Sequence, residues 1–184
     1  MTWFKRESAV LRLAKAITRA TFNSAERFKK SIRSSTDQER LEKWVYVMFE
    51  FMYFYMHMSS RVALEVLGPE QRGELCGQLA PLVARPVLGS VFGHWPEGLK
   101  AGLERDVYNG LSEAESAYSS CEAVFIKYDL LTDKGVFNRL AKNVAEVCGE
   151  PVNPAVLMLG HKVATDEWKA MGVYKLAAGM KKRP

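Results

Sequence analysis

Residues 44–58 form the feature of this sequence that most restricts its fold. The stretch holds seven of the chain's 20 aromatic residues and four of its eight methionines. A helix that is apolar all round belongs at the centre of a bundle, where other helices cover it. A membrane span needs about 20 apolar residues, whereas this stretch has 15, with Glu50 inside it and Lys43 and Arg61 close to its ends. The sequence therefore predicts a buried core helix.

Almost every other segment also has helical periodicity, with apolar residues recurring every three or four positions. We predict a single all-α domain, a bundle of about six helices, with helix 37–67 at its centre and a basic N-terminal helix at its periphery. The expected helices cover residues 4–33, 37–67, 69–93, 99–128, 136–147 and 154–178. No convincing strand is expected, because the best candidate, residues 123–126, falls inside the pattern of the fourth helix.

Local signals mark several helix ends. Thr36 followed by Glu39 is a capping box, in which each side chain satisfies a backbone amide at the start of a helix. Pro81 and Pro86 lack an amide donor and crowd the preceding turn, so we expect helix 69–93 to be broken. Pro154 is well placed for the first turn of the last helix, since its missing amide needs no partner there.

Four polar residues of the central helix share one side of it. Lys43, Glu50, His57 and Arg61 recur at spacings of seven, seven and four residues, which places them within about 40° of one another around the axis. We call this set the polar seam. Charged groups are costly to bury unless they are paired and hydrogen-bonded, so the polar seam requires a structural or functional explanation.

Three interpretations of the polar seam remain open. In the first, Glu50 pairs with an Arg or Lys of a neighbouring helix. Arg61 then pairs with an acid such as Asp129 or Glu122, and these pairs fix the register of the helices. In the second, Glu50, His57 and Arg61 line a ligand pocket in which Arg61 binds an anionic group. In the third, the seam lies at a dimer interface. We expect no metal there, because roughly 10 Å of helix separates Glu50 from His57.

The N-terminal segment 1–35 is strongly basic, with nine Lys and Arg against two acids. As a basic amphipathic helix it is predicted to pack its apolar face on the bundle domain 36–184 or on a second copy, with its basic residues in solvent. In the alternatives, it contacts an anionic membrane surface, contacts nucleic-acid phosphates, or acts as a mitochondrial targeting sequence. The residues predicted for contact with a membrane or another anion are Lys5, Arg12, Lys15 and Arg19. Sequence-specific nucleic-acid binding is not expected, since no recognition-helix context accompanies the charges.

Three cysteines, Cys76, Cys121 and Cys148, are spaced too widely to suggest a disulfide framework or a zinc knuckle. Their number and spacing favour a reducing cytoplasm. The sequence contains no glycine-rich phosphate loop, no nucleophile elbow, no paired-histidine zinc helix and no calcium loop. We therefore predict neither a cofactor nor a metal ion.

Together these patterns favour a non-enzymatic interaction or assembly protein over an enzyme. We expect it to act in the cytoplasm, as a homo-oligomer or with another protein, and to touch a membrane surface through its basic helix. The alternative is a ligand-binding helical protein or an enzyme whose pocket is formed by Glu50, His57 and Arg61.

Overall fold

The computed structural model describes residues 8–124 and 132–181. This part of the chain forms six helices and a short seventh one. They are α1 (Ala9–Phe28), α2 (Asp37–Leu67), α3 (Pro69–Phe92), α4 (Glu97–Ser119), α5 (Val136–Val147), α6 (Pro154–Met171) and α7 (Val173–Ala178). The predicted all-α bundle is confirmed. Within the described ranges, the only extended pairing is a single parallel bridge between Ala123 and Gly135.

Helix α2 is the centre of the bundle, as predicted, and packs against α1, α3, α4, α5 and α7. Its aromatic and methionine side chains point in several directions around the axis, and Met48, Phe51, Phe54 and Tyr55 have no exposed surface. Each fully buried side chain of this size contributes about 1.5–3 kcal/mol through removal of apolar surface from water. The helices around α2 are therefore held mainly by apolar contacts with its side chains.

The ends of α2 follow the local signals in the sequence. Thr36 Oγ1 accepts a hydrogen bond from the Glu39 backbone amide at 3.1 Å, and the Glu39 carboxylate accepts one from the Ser35 amide at 2.7 Å. The reciprocal half of the capping box therefore reaches Ser35 instead of Thr36. At the other end, Gly68 has φ +86° and separates α2 from Pro69, a conformation that glycine adopts without a Cβ penalty.

Helix α1 packs against α2, α3, α6 and α7 along its apolar face. Leu13, Ile17 and Phe28 are fully buried, so the helix contributes to the same core as α2. The basic residues Arg12, Lys15 and Arg19 lie on the exposed side. Lys5 lies outside the described residues. The helix is shorter than the predicted span 4–33, because the chain leaves α-geometry after Phe28.

Helix α3 differs from the prediction, because residues 69–92 form one continuous helix in spite of Pro81 and Pro86. Each proline removes the amide that would bond the carbonyl four residues earlier, at Gly77 and Leu82. Both of those residues are exposed, so water can satisfy their carbonyls. The expected break is therefore wrong.

The fourth and sixth predicted helices are also too long. Helix α4 ends at Ser119, and the following chain turns back so that Ala123 exchanges backbone hydrogen bonds with Lys134 and Val136. The remainder of the expected helix, residues 125–128, lies outside the described residues. Gly172, with φ +60°, separates α6 from α7, because a left-handed residue ends an α-helix and glycine tolerates this conformation.

Among the described helices, α3 alone is long and apolar enough to cross a membrane by length and composition. The core helix of a soluble protein passes the same test, so this property identifies no span by itself. In this fold α3 packs against α1, α2 and α4, and its residues Leu79, Val83 and Val87 are buried. It forms one wall of the bundle.

A close contact between α5 and α6 gives a test of this packing. A Cβ at Gly160 would lie 3.0 Å from both Cα and Cβ of Ala141, whereas one at Gly77 would meet nothing within 4 Å. We expect Gly160→Ala to lower the free energy of unfolding by about 1–3 kcal/mol through overpacking. Gly77→Ala should raise it by up to about 1 kcal/mol through helix propensity. Urea denaturation measures both, and equal effects would contradict the close contact.

Candidate functional site

The polar seam does not act as one unit in the structure, because its members meet different neighbours. Lys43 Nζ donates to the Arg33 carbonyl at 2.7 Å and pairs with Glu39 at 2.7 Å. These contacts fix the chain entering α2. The other three residues of the seam lie further along the helix and separate into a half-buried carboxylate at Glu50 and a cleft that contains His57 and Arg61.

Glu50 has a neutral partner. Asn143 Nδ2 on α5 donates a hydrogen bond to Glu50 Oε2 at 3.0 Å. No Arg or Lys among the described residues forms an ion pair with Glu50, so the expected charged pairing is not found in this part of the chain. Burial raises the pKa of the Glu50 carboxyl above its ordinary value of 4.5, against the opposing effect of the Asn143 hydrogen bond. Burial, and then the nearby Glu50 charge, hold the pKa of Tyr118 well above 10. Glu50 is therefore a structural group between α2 and α5, away from the cleft.

His57 forms a hydrogen-bonded cluster with two residues that the sequence did not single out. His57 Nδ1 lies 2.6 Å from Glu115 Oε2 on α4, and Arg72 Nη2 on α3 donates to Glu115 Oε1 at 2.5 Å. Arg72 Nε also donates to Ser60 Oγ at 2.8 Å. Both oxygens of one carboxylate are thus used, and Glu115 joins α2, α3 and α4. We call His57, Arg72 and Glu115 the Glu115 cluster.

The electrostatics of the Glu115 cluster favour the ionised carboxylate. Burial raises the pKa of Glu115, but the His57 hydrogen bond and the Arg72 charge outweigh it, and the net pKa lies below 4.5. A carboxylate can only accept, so His57 Nδ1 carries the hydrogen in this bond. The other ring nitrogen, Nε2, is buried and has no hydrogen-bond partner within the described part of the chain. A buried polar atom without a partner costs about 1–3 kcal/mol.

The Glu115 cluster forms one wall of an open cavity of about 780 Å³, which we call the Arg61 cleft. It is bounded by α2, α3, α4, α5, α6 and α7. Its apolar lining consists of Met58, Val62, Leu64, Val124, Phe137 and Trp168. Its remaining polar lining consists of Arg61, Glu65, Ser119 and Tyr174, and the Tyr174 hydroxyl donates to Glu65 at 2.8 Å. The cleft thus combines an apolar wall with charged groups.

Arg61 lines this cleft without a counter-ion among the described residues. No carboxylate of residues 8–124 or 132–181 lies within ion-pair distance of its guanidinium. Of the two acids predicted as its partners, Glu122 pairs with Lys134 at 3.3 Å instead, and Asp129 lies outside the described residues. The structure therefore brings His57 and Arg61 to one cavity, as the ligand-pocket interpretation predicts, but leaves Glu50 out of it.

The sequence contains a weak signal for Glu115, which was not predicted as a site residue. Glu115 follows Leu111 by four residues and precedes Tyr118 by three, so it lies on the apolar face of its helix. A carboxylate on such a face needs a buried partner. Arg72, one turn into α3, carries no comparable signal, because the first turn of a helix is exposed in most sequences. Its role depends on how α3 folds back along α2.

No protein-family model matches this chain, and comparisons with curated proteins and with solved structures found no match. The residues of the Arg61 cleft themselves are therefore the basis for assigning a function to this chain. In the described ranges, no three His, Cys, Asp or Glu side chains converge in a way that could hold a metal ion. The groups that converge in the Arg61 cleft are suited to an organic anion instead, since guanidinium groups bind carboxylates and phosphates through charge-assisted hydrogen bonds.

The raised pKa of Glu50 gives a prediction for stability against pH. The folded protein holds this proton more tightly than the unfolded chain, so the contribution of Glu50 is most favourable below about pH 4.5 and is lost as the pH rises through the folded pKa. Glu50→Gln should therefore raise the free energy of unfolding at about pH 7 relative to wild type and flatten its pH dependence above about 4.5. Urea denaturation across pH measures this.

The matched control is Glu113→Gln, an exposed carboxylate on α4 whose charge is not among those that shift the Glu50 pKa. It should leave both the stability and its pH dependence nearly unchanged, since exposed substitutions typically change stability by less than about 0.5 kcal/mol. A large loss of stability in Glu50→Gln at neutral pH would show that Glu50 has a charged partner and would contradict its assignment as a half-buried carboxylate with a neutral partner.

Proposed function

We propose that this protein binds a small organic anion with an apolar body in the Arg61 cleft. The observation that carries the proposal is the Arg61 guanidinium, which faces a cavity of about 780 Å³ and has no carboxylate partner among the described residues. The volume lies within the range of about 300–1,000 Å³ that is typical of ligand pockets. A carboxylate or phosphate group on a ligand would supply the missing counter-ion.

The apolar lining supports a ligand with a hydrocarbon or aromatic part. Met58, Phe137 and Trp168 lie along the same cavity as Arg61, so a ligand whose anionic end reaches Arg61 covers apolar surface with its other end. Burial of apolar surface contributes about 25 cal/mol per Å². The Arg61 guanidinium thus orients the ligand, and the apolar wall contributes much of the affinity.

The Glu115 cluster is better suited to forming a wall of a ligand-binding site than to catalysing a reaction. Glu115 neutralises Arg72 and holds it at 2.5 Å, so Arg72 is a fixed wall of the cleft while Arg61 remains the available cation. His57 Nε2 is buried, and a general base must come within hydrogen-bond reach of the proton it takes. We therefore propose a ligand-binding protein, with Arg61 and His57 retained from the predicted pocket and Glu50 removed from it.

Calorimetric titration with octanoate, against its neutral amide octanamide, tests the proposal on the full chain. We expect octanoate to bind and octanamide to bind at least about 10-fold more weakly, because a hydrogen bond to a charged group contributes about 1.5–3 kcal/mol. Arg61→Gln should weaken octanoate binding by about 10- to 100-fold. Its control, Arg105→Gln, changes an exposed arginine of α4 outside the cleft and should bind octanoate as wild type does.

Two results would overturn the proposed function. Equal affinity for octanoate and octanamide would mean that the cleft does not recognise the charge. Unchanged octanoate affinity in Arg61→Gln would mean that the anion binds elsewhere. Thermal unfolding of both variants shows whether they retain the wild-type fold, so loss of binding can be separated from loss of structure.

A second candidate, contact with an anionic surface, is supported by the exposed side of α1. Arg12, Lys15 and Arg19 are exposed there, while the apolar face carrying Leu13 and Ile17 is buried in the bundle. Because that face is covered by protein, α1 offers an anionic membrane its charges and not an apolar surface for insertion. Homo-oligomer formation and a cytoplasmic location stay predictions.

The expected signature of such contact is a strong dependence on salt. Full-length protein should float with vesicles of phosphatidylcholine and phosphatidylserine at about 50 mM salt and separate from them at about 500 mM, where screening shortens the Debye length. The double variant Arg12→Gln, Arg19→Gln should float less, and Arg105→Gln should float as wild type does. Flotation that persists at high salt would contradict a purely electrostatic contact.

A further inference from the structure

A second cavity, of about 750 Å³, lies along the N-terminal half of α2, where this helix faces the end of α3 and the first half of α4. It shares no lining residue with the Arg61 cleft, and we call it the aromatic groove. Its aromatic lining consists of Trp44, Tyr46, Phe49, Tyr53, Phe92 and Trp95. The Phe49 and Tyr53 rings are stacked at 6.2 Å, and the Phe92 and Trp95 centroids are 4.8 Å apart.

The aromatic groove opens to solvent. Tyr46 is 61% exposed and Trp95 36% exposed at its rim, so ring surface is available to a ligand. Gly110 on α4 allows Tyr53 to approach closely, because a Cβ there would meet the Tyr53 hydroxyl. The floor of the groove is therefore set by the α2–α4 packing, and the rim by side chains at the surface.

The titratable groups of the aromatic groove, apart from its tyrosines, are the carboxylates of Glu42 and Asp106 and the ring of His94. No Lys or Arg lines the groove among the described residues. Neither carboxylate has an ion-pair partner in the described ranges; Glu42 only accepts a hydrogen bond from Gln38 at 2.7 Å. Burial, and then the negative charges of Glu50, Glu113 and Asp106, raise the pKa of Tyr53 to about 12.

Aromatic faces attract cations through the ring quadrupole, and organic ammonium ions are bound by groups of such faces. One contact of this kind exists at the edge of the groove, where Lys29 Nζ lies 4.9 Å from the centre of the Trp44 ring. A carboxylate next to such rings adds charge attraction. The occupant that complements aromatic faces and unpaired carboxylates is thus cationic and apolar at once.

We propose that the aromatic groove is a binding site for an organic ammonium ion whose nitrogen carries apolar groups. The cationic nitrogen lies against the ring faces near Glu42 and Asp106, and the apolar groups cover Phe49 and Trp95. This site is separate from the Arg61 cleft, so its occupancy does not depend on the anion proposed there.

The probe is 3-hydroxyphenyltrimethylammonium, and its control is 3-tert-butylphenol, which has nearly the same shape without the charge. Tryptophan fluorescence and calorimetry on the full chain follow the titration. We expect the cation to bind at least about 5-fold more tightly than the phenol, in line with one or more cation–π contacts. The double variant Glu42→Gln, Asp106→Asn should reduce this preference, because the rings remain but the carboxylate charges are gone, whereas Glu146→Gln should keep it unchanged.

A ring variant tests the aromatic contribution directly. Tyr46 is mostly exposed, so Tyr46→Leu should keep the fold, as checked by thermal unfolding, and should weaken binding of the cation by about 3- to 10-fold. Equal binding of the two probes, or unchanged binding in the carboxylate variant, would overturn the proposal. It would also be overturned if sedimentation showed a dimer that Tyr46→Leu converts to monomer, since the groove would then be covered by a second copy.

Discussion

Burial of α2 is the constraint on which the rest of this structure depends. A helix with aromatic and methionine side chains on every side is the least favourable one to expose to water. Helices α1, α3, α4, α5 and α7 all pack against it. A polar group buried on α2 costs free energy unless it finds a partner on a neighbouring helix. Glu50 finds Asn143 at 3.0 Å, His57 finds Glu115 at 2.6 Å, and Tyr55 shares a hydrogen bond with Ser24 at 2.8 Å. These polar contacts select which face of each neighbour meets α2.

The two cavities lie along different halves of α2, and their unpaired charges have opposite signs. The C-terminal half of the helix borders the Arg61 cleft, where Arg61 has no carboxylate partner among the described residues. Its N-terminal half borders the aromatic groove, where Glu42 and Asp106 have no cationic partner in the same ranges. Charges that the fold leaves uncompensated beside open cavities are available to ligands, whereas compensated ones, such as Arg72, act as walls. The ligands that each cavity is suited to bind therefore depend on which charges are unpaired, and not on how many charges there are.

The basic N-terminal segment is partly compensated by the protein itself. Arg27 pairs with Asp166 of α6 at 3.6 Å, and Arg33 pairs with Glu150 in the loop before α6. Exposed pairs of this kind contribute about 0–1 kcal/mol each, so the apolar face of α1 holds the helix in place. Arg12 and Arg19, nearer the start of α1, remain exposed and supply the charge for the proposed surface contact.

The sequence alone determined the all-α class, the extent and centrality of α2, its cap at Thr36 and the placement of His57 and Arg61 on one side of α2, because these follow from local periodicity and composition. It did not determine the continuity of α3, the end of α4 or the partners of the polar seam. Helical spacing places Glu50, His57 and Arg61 on one side of α2, but it does not say which neighbour each one meets. That depends on how α3, α4 and α5 cross α2, since Glu115 and Arg72 come from distant positions in the chain. Only tertiary packing brings such groups together and decides which charges remain unpaired.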